Sequence, residues 1–172
     1  MKKLFILLLI AVTVQAQHKS VTHSRKQAHT SRVQLWTLRL TPGQDLRGQL
    51  EQFTKEQKIQ SGFIITAVGS LQKASLRLAN RSETSSWEDK FEIVSLVGTL
   101  SQDGPHLHLS LADGTGRTIG GHLVIGCEIY TTAEIVIGVA DGIVFTREKD
   151  AQTGYDELNF RKKLKSNLEK KK

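Results

Sequence analysis

Residues 105–123 read PHLHLSLADGTGRTIGGHL. His106, His108 and Ser110 alternate with Leu107, Leu109 and Leu111. A period of two with one apolar set marks a half-buried strand. Pro105 suits the first position of that strand, where a missing N–H does least harm. Asp113-Gly114-Thr115-Gly116-Arg117 reads as the turn, and Ile119 to Ile125 as the returning strand. With 113–117 as the loop, residue 112 pairs with 118, which sets His108 opposite His122. Opposed residues, and residues two apart in one strand, lie on the same side of an antiparallel sheet. The reading therefore gathers His106, His108 and His122 on one face. A slip of one residue would send His122 to the other face.

Three imidazoles are a plausible ligand set for a divalent metal such as zinc, with a fourth position open to water or a small-molecule ligand. The plainer alternative is that they fill space on a half-buried sheet. The remaining histidines, His18, His23 and His29, all precede the first strand. Cys127 would need a bend at Gly126 to join the cluster. Ser110 shares the histidine face, but no acid is placed to orient an imidazole for a triad. The chain has no G-x-S-x-G elbow, no P-loop and no H-E-x-x-H. Asp113 and Arg117 either bridge each other or cap the turn, and Arg77 and Glu92 are candidates for cross-strand or intersubunit pairs.

Working outward, Val33–Leu40 alternates as a strand, and Thr41–Asp45 breaks it. Leu46, Leu50 and Phe53 then recur at helical spacing as far as about Lys58. Phe63–Leu71 and Ala74–Asn80 read as two strands. Arg81–Lys90 reads as a polar loop or hairpin tip, with Trp87 either a surface contact or, more commonly for such a residue, packed on the sheet edge. Phe91–Leu100, Glu134–Val139 and Ile143–Arg147 read as further strands. The order is one strand, one helix, then strands: an α+β fold, mainly an antiparallel β-sheet with one principal helix packed on it.

The ends differ from the body. Residues 1–16 carry Lys2, Lys3, an apolar run and a V-Q-A site, the pattern of a signal peptide. Export to a bacterial periplasm or the exterior follows as an expectation, with no membrane span after its removal. A lone cysteine means no internal disulfide. Residues 17–32 read as a flexible polar linker and 161–172 as a basic tail, in which Phe160, Leu164 and Leu168 also allow a short amphipathic helix. The chain holds 24 basic and 17 acidic residues, a net charge of +7. Thirteen of the bases but only Glu169 among the acids lie outside 33–160, so the body is acidic. That disfavours a phosphate-binding domain surface, which needs clustered Lys and Arg.

The segments GFIITAVGSL at 62–71, FEIVSLVGTLS at 91–101, PHLHLSLAD at 105–113, GGHL at 120–123 and GYDEL at 154–158 resemble the PPC (plants and prokaryotes conserved) domain. The resemblance spans about 33–160. It implies a compact α+β fold assembled as a homotrimer. It also brings the label of DNA-binding protein, given to prokaryotic members by analogy with plant AT-hook proteins. The Arg-Gly-Arg-Pro core of an AT-hook is absent from this sequence. The leading expectation is an exported homotrimer binding a metal ion or small ligand through His106, His108 and His122. The alternatives are a DNA-binding protein of the AT-hook-related type and a metal-dependent hydrolase or lyase.

Overall fold

Nine elements follow from these patterns in the computed structural model, which describes residues 28 and 30–163. They are β1 (Val33–Leu40), α1 (Leu46–Glu56), β2 (Gly62–Arg77), β3 (Thr84–Leu100), β4 (His106–Asp113), β5 (Thr118–Leu123), β6 (Glu128–Ala140), β7 (Ile143–Lys149) and β8 (Asp156–Lys162). The first six strands form one antiparallel sheet in the order β1-β6-β2-β3-β4-β5. The end of β2 also pairs with β5, at Leu76 with Leu123 and Arg77 with His122. Strands β2 to β5 therefore curl into a closed ring, while β7 and β8 form a separate hairpin.

The inward leucines of β4 build much of the core. Leu107, Leu109 and Leu111 are buried with Leu96, Ile93, Leu71, Leu76 and Leu123. Helix α1 covers the neighbouring part of the sheet. Leu46 and Leu50 are fully buried, each contributing about 2 kcal/mol of apolar transfer free energy. Phe53 meets Trp36 of β1 edge to face, with ring centroids 5.5 Å apart.

Asp45 starts the helix and ties it to the sheet. One carboxylate oxygen accepts from Gly48 N at 2.7 Å. The other accepts from Gly126 N at 2.7 Å and Cys127 N at 3.0 Å. Losing a cap together with two charge-assisted bonds is costly. Asp45→Ala should lower the unfolding free energy by about 2–3 kcal/mol. A urea titration would read this as a lower midpoint, and an unchanged midpoint would show the carboxylate dispensable.

Several local readings need correction. Phe63–Leu71 and Ala74–Asn80 are one strand, β2, not two. Its register shifts between Leu71 and Lys73, so the polar Gln72–Lys73 step is absorbed as a bulge and both Leu71 and Ala74 stay buried. The polar stretch 81–90 is strand from Thr84 onward, and Trp87 packs partly buried opposite Ala74. Glu92 lies opposite Ser70 and Ala112, so it is not a cross-strand partner of Arg77. Phe160–Lys162 are strand, with Phe160 opposite Phe145, so no helix begins at Phe160. The signal-peptide segment, most of the linker and the tail from 164 lie outside the described residues. No helix among the described residues is long and apolar enough to cross a membrane.

Candidate metal centre

The β4–β5 turn fixes the site. Asp113 Oδ1 accepts from Thr115 N at 2.9 Å, Thr115 Oγ1 at 2.6 Å and Arg117 N at 3.0 Å. Asp113 thus caps the turn, and those bonds hold its carboxyl below the usual carboxylate range, Thr115 contributing most. Gly116 sits at φ +82°, a conformation that costs glycine nothing. The register that follows pairs Ala112 with Thr118 and, four steps on, His108 with His122. On the other side Val97 lies opposite His108 and Thr99 opposite His106. All three imidazoles therefore emerge on one face, as the residue arithmetic requires.

Their geometry suits a metal. Each ring offers a nitrogen, and the three nitrogens lie within 4.8 Å of one another. His106 Nε2 and His108 Nε2 are 3.2 Å apart. Two nitrogens bound tetrahedrally at about 2.0–2.1 Å would be separated by about 3.3–3.4 Å, so this pair already stands at ligand spacing. The His108 and His122 rings meet at 80° with centroids 4.4 Å apart. His106 and His122 stack at 5.3 Å and 12°. His106 and His108 are exposed and His122 is half-buried, leaving an open side for a further ligand. Cys127 is not part of this set. It is buried, donates to Ser75 O and accepts from Ser75 N, and burial pushes its thiol up to about 11.

Burial first, and neighbouring cations second, favour the neutral, ligating form of His106 and His122. Burial, and then the Arg147 cation and His108, lower the pKa of His106, while Glu157 opposes them. Burial, and then Arg77, His108 and His106, lower that of His122. A native pKa below the unfolded value of about 6.5 means that the unfolded chain takes up protons first. The resulting stability is fully present above pH about 6.5 and is lost as pH falls through the lowered native values. The metal-free protein should therefore melt at a lower temperature at pH 5.5 than at pH 7.5. His106→Asn with His122→Asn should reduce that dependence, and an unchanged pH slope in the double variant would contradict it.

Arg147 and Arg77 are the site residues that sequence reasoning missed or misplaced. Arg147 Nη2 donates to Thr99 Oγ1 at 2.7 Å, and Arg147 N donates to Asp103 Oδ2 at 3.1 Å. The β7–β8 hairpin delivers it, and no local pattern announces where a separate hairpin will dock. Arg77 faces His122 only because β2 closes on β5.

A family model for the Plants and Prokaryotes Conserved (PCC) domain, also written PPC, matches residues 27–141. The chain belongs to this family. PPC-domain strands β1 to β6 lie within the matched residues, and the β7–β8 hairpin lies beyond them. A hypothetical protein from Salmonella has the same fold, with a TM-score of 0.78 and 38% identity over 80% of this chain and 100% of its own. A metal-containing protein from Archaeoglobus fulgidus matches with a TM-score of 0.65 and 29% identity, over 77% of this chain and 98% of its own. A Synechococcus protein named bifunctional protein GlmU is 50% identical over 133 residues. These cover 77% of this chain, which spans only about a fifth (21%) of that relative.

Proposed function

We propose that this PPC-domain protein is an exported homotrimer that binds a divalent metal, zinc foremost, through His106, His108 and His122. The observation that carries the metal reading is the convergence of three imidazole nitrogens within 4.8 Å, one pair of them at ligand spacing. The metal-containing relative from Archaeoglobus fulgidus supports it. A divalent ion held by these three histidines would keep an open position and would polarise an oxygen bound there. The histidines hold and orient it, and the lowered pKa values of His106 and His122 keep their lone pairs available near neutral pH.

Self-association is supported by apolar side chains left on the sheet, and three as the number of subunits rests on the PPC resemblance alone. Val97, opposite His108, is 52% exposed, and Leu35 and Val68 are 65% and 55% exposed. Apolar surface of this kind is what an interface between subunits buries. Assembly over the Val97 face would place the histidines beside a subunit boundary. Export rests on residues 1–16, with their basic start, apolar run and small-residue cleavage site.

Elemental analysis of purified protein, beside His108→Ala and His122→Ala, tests the metal reading. About one ion per chain is expected in the parent and little in either variant. Equal content in all three would overturn it. Sedimentation equilibrium tests assembly, with three times the chain mass expected and a monomer mass contradicting it.

A further inference from the structure

His106 and His122 open onto a cleft of about 910 Å³ lined in part by Arg77, Arg81, Arg147, Asp156 and Glu157. That volume lies in the range of pockets that enclose small molecules and far exceeds one ion. Its lining carries both signs of charge, with Glu157 acting on His106 against Arg147 and Arg77. Arg77 lies directly opposite His122, so the two side chains leave the sheet on the same side. Arg147 is held by Thr99, the residue opposite His106. Two guanidiniums thus flank the imidazoles from two directions. Among the described residues, ion pairs within 4.0 Å join Arg47 to Glu51 and Lys73 to Glu88, and neither Arg77 nor Arg147 has such a partner.

A divalent ion bound by neutral imidazoles keeps its whole charge, because no thiolate or carboxylate belongs to the cluster. Arg77 Nη1 donates to the Arg81 carbonyl at 3.3 Å and Arg147 Nη2 to Thr99, so both guanidiniums keep further N–H donors and no carboxylate within 4.0 Å, and the combined positive charge calls for an anion. We infer that the cleft binds a small organic oxyanion, a carboxylate or phosphate, whose oxygens accept from the guanidiniums of Arg77 and Arg147 beside the three histidines. This rests on the metal reading above. Guanidinium forks match both oxyanions. Asp156 and Glu157, brought by β8, line the same cleft and can accept from hydroxyl or amine groups on the rest of the molecule. The β7–β8 hairpin thus brings Arg147, Asp156 and Glu157 to the cleft, and β2 brings Arg77.

Cobalt(II)-loaded protein, in buffer free of both probes, would be titrated with inorganic phosphate and separately with malonate. The visible cobalt spectrum and the metal content would be read for the parent, Arg77→Gln and Arg147→Gln. A saturable spectral change with at least one probe is expected in the parent. Each variant should keep its cobalt and its circular dichroism but bind that probe at least about tenfold more weakly. Which probe binds tells phosphate from carboxylate. Full cobalt loading with no spectral response to either probe overturns the oxyanion inference and leaves the metal reading standing. Undiminished affinity in both arginine variants also overturns it. A parent protein that takes up no cobalt overturns both.

Discussion

His122→Ala is expected to weaken metal binding on the order of a hundredfold or more, while the metal-free fold survives. A protein zinc site supplies about 10–16 kcal/mol, so one of three or four ligands carries roughly 3 kcal/mol of it. His122 sits half-buried at the open rim, and its neighbours Leu123 and Gly121 retain their pairings without an imidazole. Melting of the metal-free variant should therefore stay near that of the parent, and only the stabilisation added by metal should vanish. Competition against a chromophoric chelator gives the affinity, and paired thermal melts with and without zinc give the linkage. Affinity within a few-fold of the parent would mean that His122 is not a ligand.

Gly98→Ala is expected to be among the most damaging single methyl additions to the sheet, matched by Gly69→Ala, whose Cβ would stand 2.0 Å from the Thr132 carbonyl oxygen. Gly98 lies at φ +136°, and a Cβ there would stand 2.0 Å from the His106 carbonyl oxygen and 2.9 Å from Leu107 Cα. The obstacle is the backbone of β4 itself, so it cannot be relieved by turning a side chain. A cost of at least about 4 kcal/mol is expected from the clash and the strained φ together. Any relaxation must push β4 away from β3, which moves His106 and His108 relative to His122. Stability and metal binding should fail together. Gly114→Ala is the control: its Cβ would meet nothing within 4 Å, so a change within about 0.5 kcal/mol is expected. Similar urea midpoints for the two variants would contradict the close β3–β4 approach.

What could be read in advance was what local pattern determines. The Leu107, Leu109, Leu111 alternation and the Asp113–Arg117 turn set the hairpin register, and the register set the histidine face. Leu46, Leu50 and Phe53 set the helix in the same way. Two kinds of feature escaped. Polar residues inside long strands, Gln72–Lys73 and Thr84–Lys90, resemble breaks when pairing partners are unknown, yet a bulge and a partner strand absorb them. Long-range closure was also invisible: Arg77 reaches His122 only through the β2–β5 pairing, and Arg147 only through a docked hairpin. Turn chemistry and periodicity carry no information about such contacts, which depend on how distant strands curl.

The bound ion is most directly tested by crystals of the purified protein measured on both sides of the zinc absorption edge. One anomalous peak per chain is expected, within bonding distance of ring nitrogens of His106, His108 and His122. A density map with those three rings ordered and no peak among them, or a peak only at His18, His23 or His29, would contradict the metal centre.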